Sequence, residues 1–404
     1  MSETIRPWLG ADLDALLSVR LRRSLTGSVL AGRTATIVFN AGSAGVWTVR
    51  LLGGRSQVQR GAQAQPTLVV TAAAAVLVEV VSGRVSGVHA FLDGTLTVRG
   101  DLALALQLDG LWTGDAPTPE AHPRSYEVQA LGVRTLYLEA GPADAPPIVL
   151  LHGLGATNAS LLPVLADLAN DFRVIAPDLP GFGASDAPSV AYTSAWFAAW
   201  AHDFQRVVGA PQAVIVGNSL GGRIALEMGL THPGAVRGLV LLTPSPAFRR
   251  LRQLTPVVRL ISPQWARLPM VRTPHQVVVQ SIRAMFAVPK TLPRPWYDAA
   301  ADEAVRVLRS PAHRVAFFAC SRQIYLETAH GREGFWDRLP TLQSPALFIW
   351  GDRDRLVPST FARHVTRALP HATSVVLRNC GHVPQFEQPK QTMKLIRRFL
   401  AELP

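Results

Sequence analysis

Residues 215–222 read IVGNSLGG, and this short run decides the fold of the chain. Its two β-branched residues predict the end of a strand, and the RIALE sequence that follows predicts a helix. Ser219 therefore lies at the tip of a sharp turn between the two elements. Side chains at the flanking positions would collide with the strand and the helix, which accounts for Gly217 and Gly221. We predict a nucleophile elbow that presents the Ser219 hydroxyl over the end of a sheet.

Apolar strands alternate with helical patterns on both sides of this run. The predicted strands are Ile148–Leu151, Arg173–Ala176, Ala213–Val216, Gly238–Leu242, Ala346–Trp350 and Thr373–Leu377. Fully apolar strands separated by helices are typical of an open, mostly parallel α/β sheet that is covered on both faces. In such sheets functional residues gather at the carboxyl ends of the strands, so we expect the site there.

Candidate partners for Ser219 follow the ends of other predicted strands. A serine nucleophile needs a base, and the base needs a carboxylate that orients it. His382 follows the last strand and is the candidate base. Asp352 and Asp354 both follow the preceding strand and are the candidate acids. The sequence thus predicts a Ser-Asp-His triad in which one of two aspartates takes part.

An oxyanion hole is predicted from the HGLG sequence at residues 152–155, directly after the first apolar strand. Attack by a serine creates a negatively charged oxygen, and preorganised backbone N–H groups stabilise it. Glycine at this turn lets the backbone approach closely. The predicted donors are the amides of Leu154 and of Leu220, the residue after the nucleophile. We expect His152 to brace the loop rather than to take part in catalysis.

These motifs, in the order Ser, Asp, His, resemble the α/β-hydrolase fold family. The resemblance covers residues 126–404 and includes the DLPGFG sequence at 178–183. It implies that Asp354, four residues before Pro358, is the acid and that Asp352 supports the turn. Serine at the elbow argues against haloalkane dehalogenases and epoxide hydrolases, which resemble this pattern but have aspartate there.

A proline-rich segment at residues 114–125 interrupts the hydrophobic periodicity and predicts an extended linker. Before it, residues 1–113 form a separate predicted domain of the α+β class. A helix is predicted over Asp12–Leu25, strands over Thr34–Asn40, Val46–Leu52 and Thr67–Thr71, and a helix over Ala73–Val81. A strand over Thr95–Gly100 and a helix over Asp101–Leu108 follow the apolar run Val88–Leu92.

The run FLDGTLTVRGD at residues 91–101, with the leucine-rich helix after it, resembles the C-terminal part of the sterol carrier protein type-2 (SCP-2-like) family. The resemblance extends over about residues 5–112. It implies an apolar tunnel for fatty acyl chains or sterols, and no individual lipid-contacting residue can be carried over. A packing or oligomerisation module without a ligand is the alternative interpretation.

Residues 245–339 separate two parts of the hydrolase-like core, 126–244 and 340–404, and predict a helical cap. The segment has amphipathic pieces at Phe248–Leu254, Gln276–Phe286 and His313–Tyr325 and several aromatic residues, which predict a roof over a hydrophobic substrate. It contains 15 basic and 6 acidic residues, a net charge of +9. This charge either holds the protein against anionic lipid as a peripheral contact or forms a solvated arginine face.

Length and composition narrow the remaining possibilities. A chain of 404 residues exceeds one hydrophobic core and predicts two or three domains. We expect a cytoplasmic protein, because there are only two cysteines, Cys320 and Cys380, and no signal or membrane-spanning pattern. The net charge of +12 comes without a nucleic-acid-binding motif, so no nucleic-acid partner is predicted. No cofactor or metal site is predicted either.

The sequence therefore predicts a serine hydrolase acting on esters or thioesters of hydrophobic acids, fused to a lipid-carrier domain. A first alternative is a carbon–carbon bond hydrolase of ring-fission dienoic acids, because Asn218 before the nucleophile is similar to those enzymes. Against it, the residue after His382 is Val383 rather than an aromatic one. A second alternative is a lipid-binding protein whose hydrolase activity is vestigial.

Overall fold

The computed structural model describes residues 13–19, 28–112, 122–247, 255–268, 273–290 and 292–403. Most of the predicted linker, the predicted cap piece Phe248–Leu254 and both ends of the predicted helix Asp12–Leu25 lie outside these residues. Residues 13–19 are helical (α1). Within the described residues the strands form two sheets, one in each of the predicted halves.

The N-terminal sheet has the strand order β3-β2-β1-β4-β5. Its strands are β1 (Thr34–Asn40), β2 (Val46–Leu52), β3 (Arg55–Arg60), β4 (Leu68–Ala72) and β5 (Leu96–Gly100), and its helices are α2 (Ala74–Val81), α3 (Gly87–Leu92) and α4 (Leu102–Asp109). β1 pairs antiparallel with β2 and parallel with β4. The Asp101 carboxylate caps α4 by accepting the Leu104 N–H at 2.9 Å.

Two features of this domain were not predicted. The polar sequence of β3 carries no apolar alternation, and its residues are mostly exposed at the edge of the sheet. The apolar run at Val88–Leu92 is helix α3, whose N-cap Ser86 accepts the Val88 N–H. Six residues are too few for apolar periodicity alone to separate a helix from a buried strand.

The larger sheet has the order β13-β12-β11-β10-β8-β9-β7-β6. Its strands are β6 (Arg124–Ala130), β7 (Val133–Ala140), β8 (Pro147–Leu151), β9 (Arg173–Pro177), β10 (Ala213–Asn218), β11 (Val236–Leu242), β12 (Ala346–Gly351) and β13 (Thr373–Leu377). All neighbouring pairs from β13 across to β9 are parallel, as predicted. The antiparallel strands β6 and β7 were not predicted, and β6 begins at Arg124, before the predicted core boundary.

Helices cover both faces of this sheet. The core helices are α5 (Leu162–Leu168), α6 (Ser194–Val207), α7 (Leu220–Thr231), α13 (Phe361–Ala368), α14 (Pro384–Glu387) and α15 (Pro389–Ala401). Neighbouring residues of one strand enter different apolar clusters, because side chains alternate along a strand. Val149 packs with residues of α6 and α7, whereas Ile148 belongs to a cluster that continues into the N-terminal domain.

The cap lies between β11 and β12 and is helical in its described residues. Its helices are α8 (Thr255–Leu260), α9 (His275–Arg283), α10 (Arg294–Leu308), α11 (Pro311–Leu326) and α12 (Phe335–Arg338). α9 and α11 coincide closely with predicted amphipathic pieces, whereas α10 was not predicted. Among the described residues no helix has both the length and the hydrophobicity needed to cross a bilayer.

α10 is also the cap element on which the N-terminal domain docks. The Asp302 carboxylate accepts hydrogen bonds from Arg99 Nε at 2.8 Å and from the Gly100 amide at 2.9 Å. On the same helix, Trp296 Nε1 donates to the Phe91 carbonyl at 3.0 Å. One carboxylate thus ties the end of β5 to the cap.

We predict that Asp302→Ala destabilises the protein by about 1–2 kcal/mol, because the Gly100 amide loses its acceptor and Arg99 its partner. Asp144→Ala is the matched control, since Asp144 is exposed on the loop between β7 and β8, and it should change stability by less than about 0.5 kcal/mol. Thermal unfolding of the full chain checks both values. Equal unfolding temperatures for the two variants would contradict the assigned role of Asp302.

Candidate active site

Ser219 lies at the tip of the turn between β10 and α7 and has a φ of 52° and a ψ of −112°. A non-glycine residue in this region is strained, and such strain persists only where the surroundings fix the backbone. The Ser219 N–H donates to the Leu242 carbonyl at 3.0 Å. The Ser219 carbonyl accepts from the amides of Arg223 and Ser245, each at 3.0 Å. These backbone bonds hold the turn in place.

The glycines of the turn are required by its tightness. A Cβ on Gly217 would lie 2.4 Å from the Gly221 carbonyl carbon. A Cβ on Gly221 would lie 2.0 Å from the Leu151 carbonyl oxygen at the end of β8. The helix therefore begins in direct backbone contact with the neighbouring strand, which is the arrangement expected of a nucleophile elbow.

His382 and Asp354 are paired at the ends of β13 and β12. His382 Nδ1 lies 2.7 Å from Asp354 Oδ2, and both side chains are buried. The other carboxylate oxygen, Oδ1, accepts the Leu356 and Val357 amides at 2.8 and 2.9 Å. Two amide donors fix the orientation of the carboxylate, so it can hold the imidazole in one tautomer.

Asp352, the alternative acid, is exposed. Its Oδ1 accepts the Cys380 amide at 3.2 Å, a bond that connects the two loops after β12 and β13. This contact is the turn support that the sequence suggested for Asp352. The structure therefore pairs His382 with Asp354 and not with Asp352.

The backbone of His382 is held by residues that the sequence did not assign to the site. Its carbonyl accepts hydrogen bonds from Asn218 Nδ2 at 3.2 Å and from Thr243 Oγ1 at 2.8 Å. Its N–H donates to the Met285 carbonyl of the cap at 2.8 Å. Asn218 and Thr243 thus connect the histidine loop to the strands beside Ser219. The available sequence signal was the position of Asn218 directly before the serine.

Ser219 and His382 line one cavity of about 440 Å³, which we call the Ser219 cavity. Most of its other lining residues are apolar side chains from the cap and from the loops after the strands, including Leu154, Ile282, Phe286, Trp296, Val307 and Ile324. Arginine and lysine are absent from the described residues that line it. The cavity can hold an uncharged, hydrophobic group beside the serine.

The two predicted oxyanion donors belong to two different segments of the core. Leu154 follows β8 and lines the Ser219 cavity, and Leu220 is the first residue of α7. Neither amide donates a hydrogen bond to another residue in the part of the chain that the structure describes. The N-terminal end of a helix carries a partial positive charge, which favours a negative oxygen at this position.

His152 has both ring nitrogens bound to the backbone. Its Nε2 accepts the Leu179 N–H at 2.9 Å, and its Nδ1 lies 2.8 Å from the Gly153 carbonyl, to which it donates. Complete burial lowers the pKa of His152 to about 4, so the ring is neutral at physiological pH. These contacts suit a brace between two loops.

Asp178, in the DLPGFG sequence, also binds backbone amides of the loops after β8 and β9. Its carboxylate accepts the amides of Asn158 at 2.9 Å and Ala184 at 2.8 Å. Burial raises its pKa to about 7, although these two hydrogen bonds act in the opposite direction.

Among the described residues no cluster of three or more metal-ligating side chains is present.

Comparison with known families agrees with this architecture. Residues 146–389 match the model of the alpha/beta hydrolase fold, and residues 20–113 match the SCP-2 sterol transfer family. The first match covers more than half of the chain, so the protein belongs to the α/β-hydrolase fold family and has an N-terminal SCP-2 domain. The predicted fusion of these two families is confirmed.

Individual relatives of the hydrolase part have several activities. The chain is 30% identical to the 2-hydroxymuconate semialdehyde hydrolase of Pseudomonas sp. (strain CF600), over 68% of this chain and 93% of the relative. It is 27% identical to the pimeloyl-[acyl-carrier protein] methyl ester esterase of Aeromonas hydrophila, over 64% and 96%. The crystal structure of a bacterial membrane phospholipase A superposes with a TM-score of 0.57 at 28% identity, over 69% and 86%.

We predict that Gly221→Ala strongly destabilises the protein, because the new Cβ would overlap the Leu151 carbonyl and backbone atoms cannot move aside. Overpacking of this kind costs about 1–3 kcal/mol or more. Gly234→Ala is the matched control, since a Cβ at Gly234 would meet no atom within 4 Å. Thermal unfolding and the yield of folded protein measure the difference. An alanine at 221 as stable as one at 234 would contradict the tight turn.

Proposed function

We propose that the protein hydrolyses carboxylic esters or thioesters of hydrophobic acids through an acyl-enzyme formed on Ser219. The observation that carries the proposal is that His382, paired with Asp354, lines the same cavity as a strained serine at an elbow. His382 takes the Ser219 proton as the hydroxyl oxygen attacks the carbonyl carbon. It then donates that proton to the leaving alcohol or thiol as the acyl–oxygen or acyl–sulfur bond breaks.

Deacylation repeats the sequence with water as the nucleophile. His382 removes a proton from water, hydroxide oxygen adds to the acyl carbon, and the Ser219 oxygen leaves with the proton returned by His382. Asp354 keeps the imidazole in the tautomer that this exchange requires. The Leu154 and Leu220 amides stabilise the oxyanion in both steps, and each such donor contributes about 2.7–4 kcal/mol in known hydrolases.

The lining of the Ser219 cavity favours an ester over a ring-fission acid. The relatives named as hydrolases of muconate semialdehydes and the position of Asn218 support carbon–carbon hydrolysis as the second candidate. A dienoic acid, however, brings a carboxylate into the cavity, and burying an unpaired charge is costly. Glu303 is the acidic residue on the wall, and the described lining offers no arginine or lysine to pair with a second anion.

The SCP-2 domain supports a lipid-like substrate. A smaller apolar cavity of about 40 Å³ is lined by residues of this domain such as Phe39, Val70, Leu77 and Leu106, together with Leu162 of α5. A lipid-binding protein with vestigial hydrolase activity is the remaining alternative. The buried, oriented Asp354–His382 pair argues against it, because a carboxylate with two amide donors has no need of a buried histidine partner for its own stability.

The cap also offers a surface for peripheral membrane contact. Leu260 is 80% exposed, and Trp265 and Leu268 are each 64% exposed, with Arg259 and Arg267 exposed beside them. Exposed apolar side chains with arginines next to them in the sequence suit the interface of an anionic membrane. We propose that this face, which we call the cap patch, brings the enzyme to lipid substrates.

Arginines of α11 bind backbone carbonyls within and beside the cap patch. Arg314 Nε donates to the Ala266 carbonyl at 2.9 Å, and Arg322 Nε donates to the Val258 carbonyl at 3.1 Å. These two arginines of the cap are therefore engaged in hydrogen bonds within the protein. The attraction to a membrane rests on the exposed arginines of the patch itself.

We predict that Ser219→Ala and Asp354→Asn each lower kcat/KM for p-nitrophenyl esters by at least about a thousandfold. Asp352→Asn is the matched control from the same loop and should stay within about threefold of wild type. A fluorophosphonate probe should label wild type and not Ser219→Ala. No turnover of any ester by a labelled wild type, together with turnover of a ring-fission dienoate, would transfer the assignment to carbon–carbon hydrolysis.

We predict that the full chain binds vesicles of anionic phospholipid more tightly than zwitterionic vesicles and that added salt weakens this binding. Leu268→Ser should weaken it about tenfold, because an apolar side chain no longer enters the interface. Leu52→Ser is the matched control, since Leu52 is 45% exposed in the N-terminal domain. Vesicle sedimentation measures both. Equal binding by the two variants would refute the cap patch.

A further inference from the structure

The Ser219 cavity and the smaller N-terminal cavity share part of their walls. The N-terminal cavity is lined by residues of the SCP-2 domain and by Leu162 of α5, and the Ser219 cavity lies between the hydrolase core and the cap. Phe91 on α3 and Leu102 on α4 line both of them. A residue that borders two cavities forms a partition, because its two sides face different spaces. The catalytic cavity is thus closed on one side by residues of another domain.

Phe91 is fixed in this partition by aromatic contacts. Its ring stacks on Trp296 of α10, with centroids 5.5 Å apart and planes at 15°, and its carbonyl accepts the indole N–H. Trp296 in turn meets Phe386 of α14 edge to face at 5.4 Å. All three rings line the Ser219 cavity. Aromatic pairs of this kind resist displacement, so a bound chain meets a firm wall.

Leu102 is fixed in position by the contacts of helix α4. It is the first residue of α4, directly after the capping residue Asp101. The Asp101 carboxylate also lies 3.6 Å from Arg306 Nε on α10, which ties the start of α4 to the cap. α10 itself contributes the small side chains of Ala300 and Ala304 to the Ser219 cavity.

We propose that the SCP-2 domain completes the acyl-binding cavity of the hydrolase, with Phe91 and Leu102 as the residues that limit the length of the acyl chain. The proposal rests on the proposed ester hydrolysis at Ser219. The chain lies in the Ser219 cavity with its carbonyl carbon at the serine, and it stops at the partition. A smaller side chain at either position joins the two cavities and admits a longer chain.

The test compares two leucines of the same helix. Leu102 and Leu104 are both buried on α4, but Leu104 lines neither cavity. In the full-length enzyme, Leu102→Ala should raise the ratio of kcat/KM for a palmitoyl ester to that for a butanoyl ester by about tenfold, the gain from burying roughly two more methylene groups. Phe91→Ala should act in the same direction, and Leu102→Phe in the opposite one. Leu104→Ala should keep the wild-type ratio, although it also leaves a gap in the core.

A binding assay separates failure of this inference from failure of the proposed function. In Ser219→Ala protein, which cannot form an acyl-enzyme, displacement of the uncharged fluorescent probe methyl cis-parinarate by methyl esters of saturated fatty acids reports the preferred chain length. Leu102→Ala in that background should shift the preference to longer esters, and Leu104→Ala should not. If the shift in chain length appears but no ester is turned over, the proposed hydrolysis is rejected and the shared cavity is retained. Identical profiles for both leucine variants in both assays would overturn the inference.

Discussion

The close approach of α7 to the end of β8 is the constraint on which the site depends. A Cβ at Gly221 would lie only 2.0 Å from the Leu151 carbonyl oxygen, which leaves no room for a gradual turn. Ser219 must therefore take a left-handed backbone conformation, with its carbonyl and amide fixed by neighbouring strands and loops. The same closeness brings the loop after β8 beside the serine, so Leu154 borders its cavity. Nucleophile and proposed oxyanion donors are thus consequences of one packing contact.

The cap helix α10 connects this site to the rest of the chain. One of its carboxylates, Asp302, holds the end of β5, while Trp296 on the same helix packs on Phe91 and lines the Ser219 cavity. The apolar cluster on one face of the larger sheet also continues into the N-terminal core. A movement of the N-terminal domain would therefore displace the roof of the Ser219 cavity. The two fused domains thus form one structural unit around this cavity.

Local sequence signals were sufficient for the parallel strands and the elbow. Buried parallel strands are fully apolar, and Gly217 and Gly221 flank the serine at the spacing that a tight strand-to-helix turn requires. Such signals were insufficient for β6, whose side chains are mostly exposed, and for β7, whose apolar positions are interrupted by Arg134, Thr135 and Glu139. The support of His382 by Asn218 and Thr243 joins residues more than a hundred positions apart. Spacing within a motif cannot reveal such contacts, nor a wall supplied by another domain.

The charges around the Ser219 cavity bear on how a hydrolytic cycle would end. Glu303 on its wall is neutralised by Arg306, whose Nε donates to it at 2.9 Å. Burial acts to lower the pKa of Arg306, but its carboxylate partners outweigh that effect and raise the pKa, so the guanidinium stays charged and engaged. A neutral ester meets no electrostatic penalty there, but hydrolysis converts it into a carboxylate. An anion without a free cationic partner is unstable in an apolar cavity, so the chemistry itself favours release of the acid.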